Sequence, residues 1–303
     1  MQFKRVKRAI DGVLLLDKPL GLSSNQALQQ VKRLYQAAKA GHTGSLDPLA
    51  TGLLPICLGE ATKFSHFLLD ADKSYRALIQ LGSTTTTGDA EGEVVSRAEV
   101  NVTQEQLCLV LKRFVGQIEQ VPPMYSALKH AGKALYEYAR DGVEISRPAR
   151  RITIFDIELN GFDREAHRLE INVVCSKGTY IRTLAEDIGR ALGCGAHLAG
   201  LRRLSTAHFR LQDAFTMEQL EEMTATARDE ILLPVDASVI DLPAVVLDQD
   251  SAFYLLQGQS VWKSGLNAGG LFRIYKDDGR FLGLGELDSD GRVAPRRLLA
   301  MRA

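Results

Sequence analysis

The apolar residues of this chain come in short runs cut off by Gly, Pro and polar clusters, which points to a layered fold of short strands and helices. Among the longest are Val13 to Leu16 and Leu53 to Leu58, far below the roughly 20 residues that a membrane-spanning helix needs. GVLLLDKPLGLSS therefore reads as a buried strand, a Pro/Gly turn and a helix from about Ser24 to Ala38. LLPICLG and KSYRALIQLG read as strands on either side of a helical GEATKFSHFLL, and the second ends in the polar loop STTTTGDAEG. Thr103 to Gln106 is a capping box ahead of the apolar run LCLVLKRFV, and Thr216 to Gln219 repeats the pattern. GQIEQVPPMYSALKHAGKALYEYARDG contains an exposed loop at Pro122 and Pro123 and a short helix stopped by Gly142. Strands RITIFDIEL and RLEINVVCS precede a helix in KGTYIRTLAEDIGRALG that Gly193 caps. Strand pairs separated by helices predict a mixed α+β core.

Beyond about residue 240 the texture changes. Short strands alternate with Asp278-Gly279 and Asp290-Gly291, both strong hairpin signals. A small β-rich C-terminal unit is expected over 241–303, with an acidic connector before it. Residues 213–250 carry ten acids against Arg228 alone, a balance of −9, so the remainder of this net-neutral chain is +9. Lys4, Arg5, Lys7 and Arg8 crowd the N-terminus, within a basic tail over 1–10, and Arg202 and Arg203 are adjacent. Such segregation suits one basic and one acidic face, and equally suits solvated helix surfaces. It permits a nucleic-acid partner without showing one.

Several motifs fail. Cys57, Cys108, Cys175 and Cys194 form no CxxC, and the six histidines have no paired ligand spacing, so reduced thiols and no metal are expected. Glu286, Asp288 and Asp290 imitate a calcium loop, but its twelfth position is Arg297. Gly283-Leu284-Gly285 is a lone GxG, GEATK lacks the glycine framework of a P-loop, and Ser45 is outside GxSxG. With no leader-like or spanning segment, a soluble cytoplasmic protein is expected.

GHTGSLDPLATG remains. Asp47 stands among Gly41, Gly44, Gly52 and Pro48 with His42, Thr43, Ser45 and Thr51 nearby. An aspartate in such a loop commonly caps a turn. The alternative is a nucleophile or base kept ionised by an arginine that lowers its pKa, and Arg182 in GTYIRT is a candidate. Tyr75, between Lys73 and Arg76, is either a half-buried strand residue or a stacking platform for a base with those cations near phosphates. Tyr180 carries the same ambiguity. His42 is either a loop hydrogen bonder or a planar wedge filling a vacated stack, and Lys63 either contacts a phosphate or is solvated.

GVLLLDKPLGLSS, AGHTGSLDPLATGLLPICLGEATKF, KSYRALIQLG, PPMYSALKHAGKALYEYAR, CSKGTYIRTLAEDIG, GAHLAGLRRL and GLGELDSDGRVAPRRL together resemble the TruB-type tRNA pseudouridine synthases from Ile10 onward. One departure is Thr86, where family members often carry an acidic residue. The acidic stretch from Asp213 to Asp250 is a second departure in its length and content. The resemblance implies a mixed, mainly antiparallel sheet flanked by helices over 11–240, an insertion at about 120–150 that closes over RNA, and a PUA-like RNA-binding domain over 241–303. It implies isomerisation of uridine 55 in the tRNA T loop by base flipping, with no cofactor. By that resemblance Asp47 is the nucleophile, Arg182 pairs with it, and Tyr75 packs on the flipped uracil or removes a proton. Tyr180 and Leu201 line the nucleotide pocket, Leu201 with backbone polar groups as well as an apolar wall. His42 enters the T loop. The expected partner is tRNA, including its acceptor end, bound by a monomer. A catalytically silent tRNA-folding chaperone is the competing expectation, and a metal-dependent nuclease built on Asp47 lacks the clustered acids it would need.

Overall fold

Strand β1 (Gly12–Lys18) leads into helix α1 (Ser24–Leu34), whose start is closed by a capping box between Ser23 and Gln26. The structure is a computed structural model describing residues 7–266 and 269–300, so Lys4 and Arg5 of the basic tail lie outside the described residues. Strands β2 (Ala40–His42) and β3 (Ala50–Leu58) flank the Asp47 loop, and a 3-10 turn (Gly59–Lys63) enters the short helix α2 (Ser65–Leu69). Then come β4 (Lys73–Leu81), the hairpin β5 (Ser83–Thr85) and β6 (Val94–Arg97), and α3 (Gln104–Arg113). From β7 (Gly116–Gln120) the chain makes an excursion through β8 (Lys129–His130), β9 (Lys133–Ala134) and α4 (Leu135–Arg140). It returns on the long strand β10 (Arg150–Asp163), followed by β11 (Arg168–Cys175), α5 (Ile181–Leu192), β12 (Ala196–Thr206) and β13 (Phe209–Arg210). Helices α6 (Met217–Glu222) and α7 (Ala225–Glu230) lie in the acidic connector.

The main sheet runs β1-β3-β12-β4-β11-β10-β7, with β2 beside β3 and β13 beside β12. Its ladders are antiparallel except β3–β12, which is parallel. The mixed, mainly antiparallel α+β architecture is therefore the one expected. In β1 the side chains alternate: Leu14 and Leu16 join the large core with Ala27, Val31 and Ile56, while Val13 and Leu15 meet Leu53, Cys57, Leu68 and Phe209 on the other face. Burial on both faces is why β1 and β3 read as continuous apolar runs. In β4 only one face is apolar, so Tyr75, Ala77 and Ile79 point inward and Arg76 outward. Leu107 and Leu111 of α3 and Leu184 and Ile188 of α5 cover that inner face.

Both predicted capping boxes form, at Thr103 and Thr216, and Gly193 ends α5 at φ 78°. Two boundaries differ. The first helix ends at Leu34 rather than Ala38, because the chain turns through Gln36 at φ 50° to bring Ala37 beside Arg8. GEATKFSHFLL is broken at the buried Phe64, whose φ of −110° lies outside the helical well. The start of α5 at Ile181 leaves Arg182 near the head of its helix as expected, and Gly178 at φ 79° makes the turn that precedes it.

The C-terminal part forms a second sheet, β14 (Ala244–Leu247), β15 (Leu271–Lys276), β16 (Phe281–Leu287) and β17 (Val293–Leu298), in that spatial order, with helix α8 (Gln249–Leu256) packed on it. Leu247, Leu255, Phe272, Ile274 and Val293 give it its own core. Both Asp-Gly pairs turn hairpins, with Gly279 at φ 84° and Gly291 at φ 76°. The two sheets meet at Phe64, Val239 and Leu284, where the Phe64 and Phe281 rings lie 5.5 Å apart. Lys63, for which a phosphate contact was one expectation, instead donates to Leu298 O at 2.9 Å across this junction and pairs with Glu60 of its own turn at 2.6 Å. No helix among the described residues is long and apolar enough to cross a membrane.

Candidate active site

The Asp47 loop is sewn to its surroundings through backbone groups. Asp47 O accepts from Ala50 N at 3.0 Å, closing a turn, and Pro48 O accepts from Gly21 N at 2.9 Å. Buried Ser24, at the head of α1, takes Leu46 N at 2.6 Å and gives its hydroxyl to Leu46 O at 3.0 Å. Gly52 has φ 100°, and a Cβ there would sit 2.4 Å from the backbone oxygen of Arg203, so no side chain fits. The loop is thus held on three sides, and the Asp47 side chain is left 48% exposed.

Arg182 belongs to the first turn of α5, which the side chain of Gln120 holds at its head. Tyr180 N donates to Gln120 Oε1 at 2.8 Å, and Gln120 Nε2 donates to Tyr180 O at 3.1 Å. The arginine is only 8% exposed and lies between two carboxylates: Nη2 is 3.1 Å from Asp47 Oδ2 and Nη1 is 3.4 Å from Asp89 Oδ2. It also donates to Tyr125 O at 2.6 Å and Thr87 O at 3.3 Å. The two residues that were far apart in sequence therefore form an ion pair.

The expected lowering of the Asp47 pKa is not what results. The cleft walls strip water from the carboxyl and push its pKa above the ordinary value, with Asp89 adding to the push. Arg182 and Lys18 pull it back. Desolvation outweighs the ion pair, and the outcome is a more basic carboxylate that still has a cation beside it.

Two cavities meet at this pair. One, of about 600 Å³, is lined by Asp47, Tyr75, Tyr180, Arg182 and Leu201. The other, of about 570 Å³, is lined by His42, Asp47, Asp89, Arg182 and, from α4, Tyr136 and Arg140. A third, of about 480 Å³ between Leu15, Phe209 and Leu233, contains none of the candidate residues. Tyr75 is 7% exposed, and its phenol is pushed up in pKa by burial. Tyr180 is likewise pushed up by burial. Leu201 supplies a wall, and its carbonyl already accepts from Thr51 Oγ1 at 3.4 Å. His42 has a buried Nδ1 with no hydrogen-bond partner, and burial together with the Arg203 charge holds its pKa below the ordinary value.

One alternative falls here. Lys73, for which a place near a phosphate was one expectation, is buried and donates to the carbonyls of Leu68, Leu69 and Ala71 at 3.3, 3.2 and 2.6 Å. Its neighbour Arg76 does reach solvent, 3.8 Å from Glu170.

Sequence reasoning missed Asp89 and Lys18. Asp89 is 3% exposed, accepting from Thr87 Oγ1 at 2.5 Å and Glu91 N at 3.1 Å. Its signal was the GD in STTTTGDAEG, a carboxylate beside a glycine at φ 73°. Lys18 is fully buried, donates to Pro19 O at 2.9 Å, and has its pKa lowered to about 8 by desolvation. A lysine ending a buried apolar run was the available sign.

The profile of the N-terminal domain of TruB family pseudouridylate synthases matches residues 32–181. Two C-terminal profiles, of tRNA pseudouridylate synthase B and of pseudouridine synthase II TruB, match 182–240 and 243–299. A tRNA pseudouridine synthase B of Methylobacillus flagellatus is 72% identical over 299 residues, covering 99% of this chain and 98% of that protein. This chain belongs to the TruB family. A TruB-family relative from Aromatoleum aromaticum, also a tRNA pseudouridine synthase B, is 55% identical over 99% of this chain and 96% of its own length. Membership makes the chain a pseudouridine synthase, an isomerase. Among solved structures, one in a Cbf5-Nop10-Gar1 complex superposes with a TM-score of 0.69 at 28% identity, covering 91% of this chain and 78% of that one. One in an H/ACA RNP bound to a substrate RNA containing 2′-deoxyuridine has a TM-score of 0.71 at 24% identity, covering 96% and 86%, and shares the TruB-family fold.

Proposed function

We propose that this protein converts uridine 55 in the T loop of tRNA to pseudouridine, with Asp47 as the nucleophile. The observation that carries the reading is the Asp47–Arg182 pair at the meeting point of two cavities, one of them floored by a buried tyrosine. Isomerisation breaks N1–C1′, turns the uracil, forms C5–C1′, moves the C5 proton to solvent and leaves a proton on N1. Attack at the ribose, attack at the uracil and elimination each start from an ionised carboxylate at the glycosidic bond, and Arg182 supports that charge.

The target uridine must leave its stack, at a cost of roughly a few kcal/mol. The cavity of about 600 Å³ receives the nucleoside, with Tyr75 against the uracil and Tyr180 and Leu201 as walls. His42, on the other cavity, fills the space left in the T loop. Tyr75 also serves in removing the C5 proton, its phenol oxygen accepting that proton as its own O–H proton passes on toward solvent. Residues 11–240 form the catalytic domain, the excursion within about 120–150 closes over the RNA, and 241–303, a PUA-like domain, contacts the acceptor end. The protein works as a monomer on tRNA in the cytoplasm, as the family resemblance implies.

The test uses unmodified tRNA transcript tritiated at uridine C5, with EDTA present. Release from a single T-loop uridine, abolished by Asp47→Asn, is expected. Tight binding with no release would make the protein a silent chaperone. Release that survives Asp47→Asn would move the nucleophile elsewhere.

A further inference from the structure

Arg203 is the largest fully buried side chain among the described residues, 1% exposed, yet it is charged. Two of its hydrogen bonds go to carbonyl oxygens, Nε to Leu53 O at 2.6 Å and Nη2 to Gly44 O at 2.9 Å, and the guanidinium also hydrogen-bonds the Tyr75 phenol. No carboxylate among the described residues pairs with it. A buried charge without a counter-ion is expensive, so a fold keeps one only where its donors hold something in place. What these donors hold is the frame of the catalytic loop, since Gly44 precedes Asp47 and Leu53 follows it in β3.

The same residue sits at the crossing of three strands. On β12 it lies opposite Tyr75 of β4 and beside Gly52 of β3. The approach at Gly44 is close, for a Cβ there would be 3.2 Å from Arg203 Nη1, and Gly44 has φ 74°. The guanidinium acts on four titratable groups around it: it pulls the Tyr75 phenol down against burial and depresses His42, Lys73 and Lys18. A planar fork can serve carbonyls in two directions at once, which a lysine ammonium on a flexible stem does not.

We infer that Arg203 is a positioning residue for the isomerisation: its guanidinium fixes Gly44 and Leu53, and through them Asp47, at a set distance from Tyr75. The inference rests on the reading of the site given above. Arg203 belongs to the wall of the cavity assigned to the nucleoside, but its buried guanidinium is engaged by protein groups, so its effect is on geometry at the moment of reaction, where a displacement of about 1 Å costs on the order of 10²-fold in rate.

The experiment compares the parent protein with Arg203→Lys on the tritiated tRNA transcript, measuring kcat, KM and tRNA Kd. The variant keeps the buried charge and loses the fork. We expect kcat to fall on the order of 10²-fold, with Kd and KM within about threefold. A loss of packing alone would lower the yield or thermal midpoint while leaving the rate per folded molecule intact. Should Arg203→Lys not fold, Gly44→Ala breaks the same contact from the loop side, and the same fall in kcat at unchanged Kd is expected. A folded variant with kcat within threefold of the parent, or a loss confined to KM, overturns the assignment. A parent that releases no tritium overturns this inference and the proposed function together, whereas an active parent with an equally active variant overturns only the inference.

Discussion

Removing Arg182 separates the two carboxylates by what each loses. In Arg182→Met the half-exposed Asp47 forfeits a partner that solvent replaces, worth about 0–1 kcal/mol. Asp89, whose side chain is 4% exposed, is left as a buried anion without its cation, and breaking such a pair from one side costs about 3–5 kcal/mol. The buried partner therefore sets the magnitude, corresponding to a fall in thermal midpoint of roughly 6–20 °C for a domain of this size. Adding Asp89→Asn should recover most of it, because asparagine can still accept from Thr87 Oγ1 and Glu91 N while carrying no charge. The assay is urea denaturation followed by far-UV circular dichroism, since the lone tryptophan, Trp262, reports on the C-terminal unit. An Arg182→Met protein within about 1 kcal/mol of the parent, or a double variant no more stable than the single, refutes the argument. In the same variant Asp47 loses its strongest downward pull, so the acid limb of kcat/KM moves to higher pH.

Asp47→Asn should abolish isomerisation without lowering the thermal midpoint at neutral pH: the folded pKa is raised, so ionised Asp47 opposes folding once pH exceeds its unfolded value. Single-turnover rates of the parent should fall, as pH drops, through a pKa above that of an ordinary aspartate, and a limb at or below that value would sink the desolvation argument. Gly52→Ala should destabilise by at least about 3 kcal/mol, strain plus overpacking, whereas Gly178→Ala, also at positive φ but with nothing within 4 Å of a Cβ, should lose only about 1–2 kcal/mol in thermal unfolding. Arg140→Ala, on the wall of the cavity that holds His42, should weaken tRNA binding and reduce the slope of log Kd against log salt by about one; an unchanged slope would remove Arg140 from the RNA path.

Local chemistry was legible wherever it acts over a few residues. The Thr103 and Thr216 boxes, the Gly193 cap and the two Asp-Gly turns all depend on neighbours within a turn or two. Boundaries failed where a tertiary contact overrode propensity: Phe64 leaves the helical well to join the junction with the second sheet, and Tyr35, ending α1, reaches across to Arg228 O at 2.8 Å. The site was half visible. Asp47 showed itself through the glycines and proline that present it, yet its pairing with Arg182 spans the sheet and has no local trace. The direction of its pKa was misjudged because sequence offers the cation but not the depth of the cleft. Asp89 and Lys18 stayed hidden for the same reason, since their burial follows from strand order.

The excursion from Gln120 to Arg150 leaves and rejoins the main sheet on a single rung, where those two residues face each other in the β7–β10 ladder. A segment closed on one rung can change its pose while the strands beneath it stay put. Its Tyr125 carbonyl and the Asp47 carboxylate share the same guanidinium nitrogen, Arg182 Nη2. Linkage then works in both directions: any free energy by which closure of the segment strengthens the Asp47–Arg182 pair is returned, when that pair is intact, as added stability of the closed pose. Under the function proposed above, charge at Asp47 and closure of this segment over the RNA would become two readings of one equilibrium.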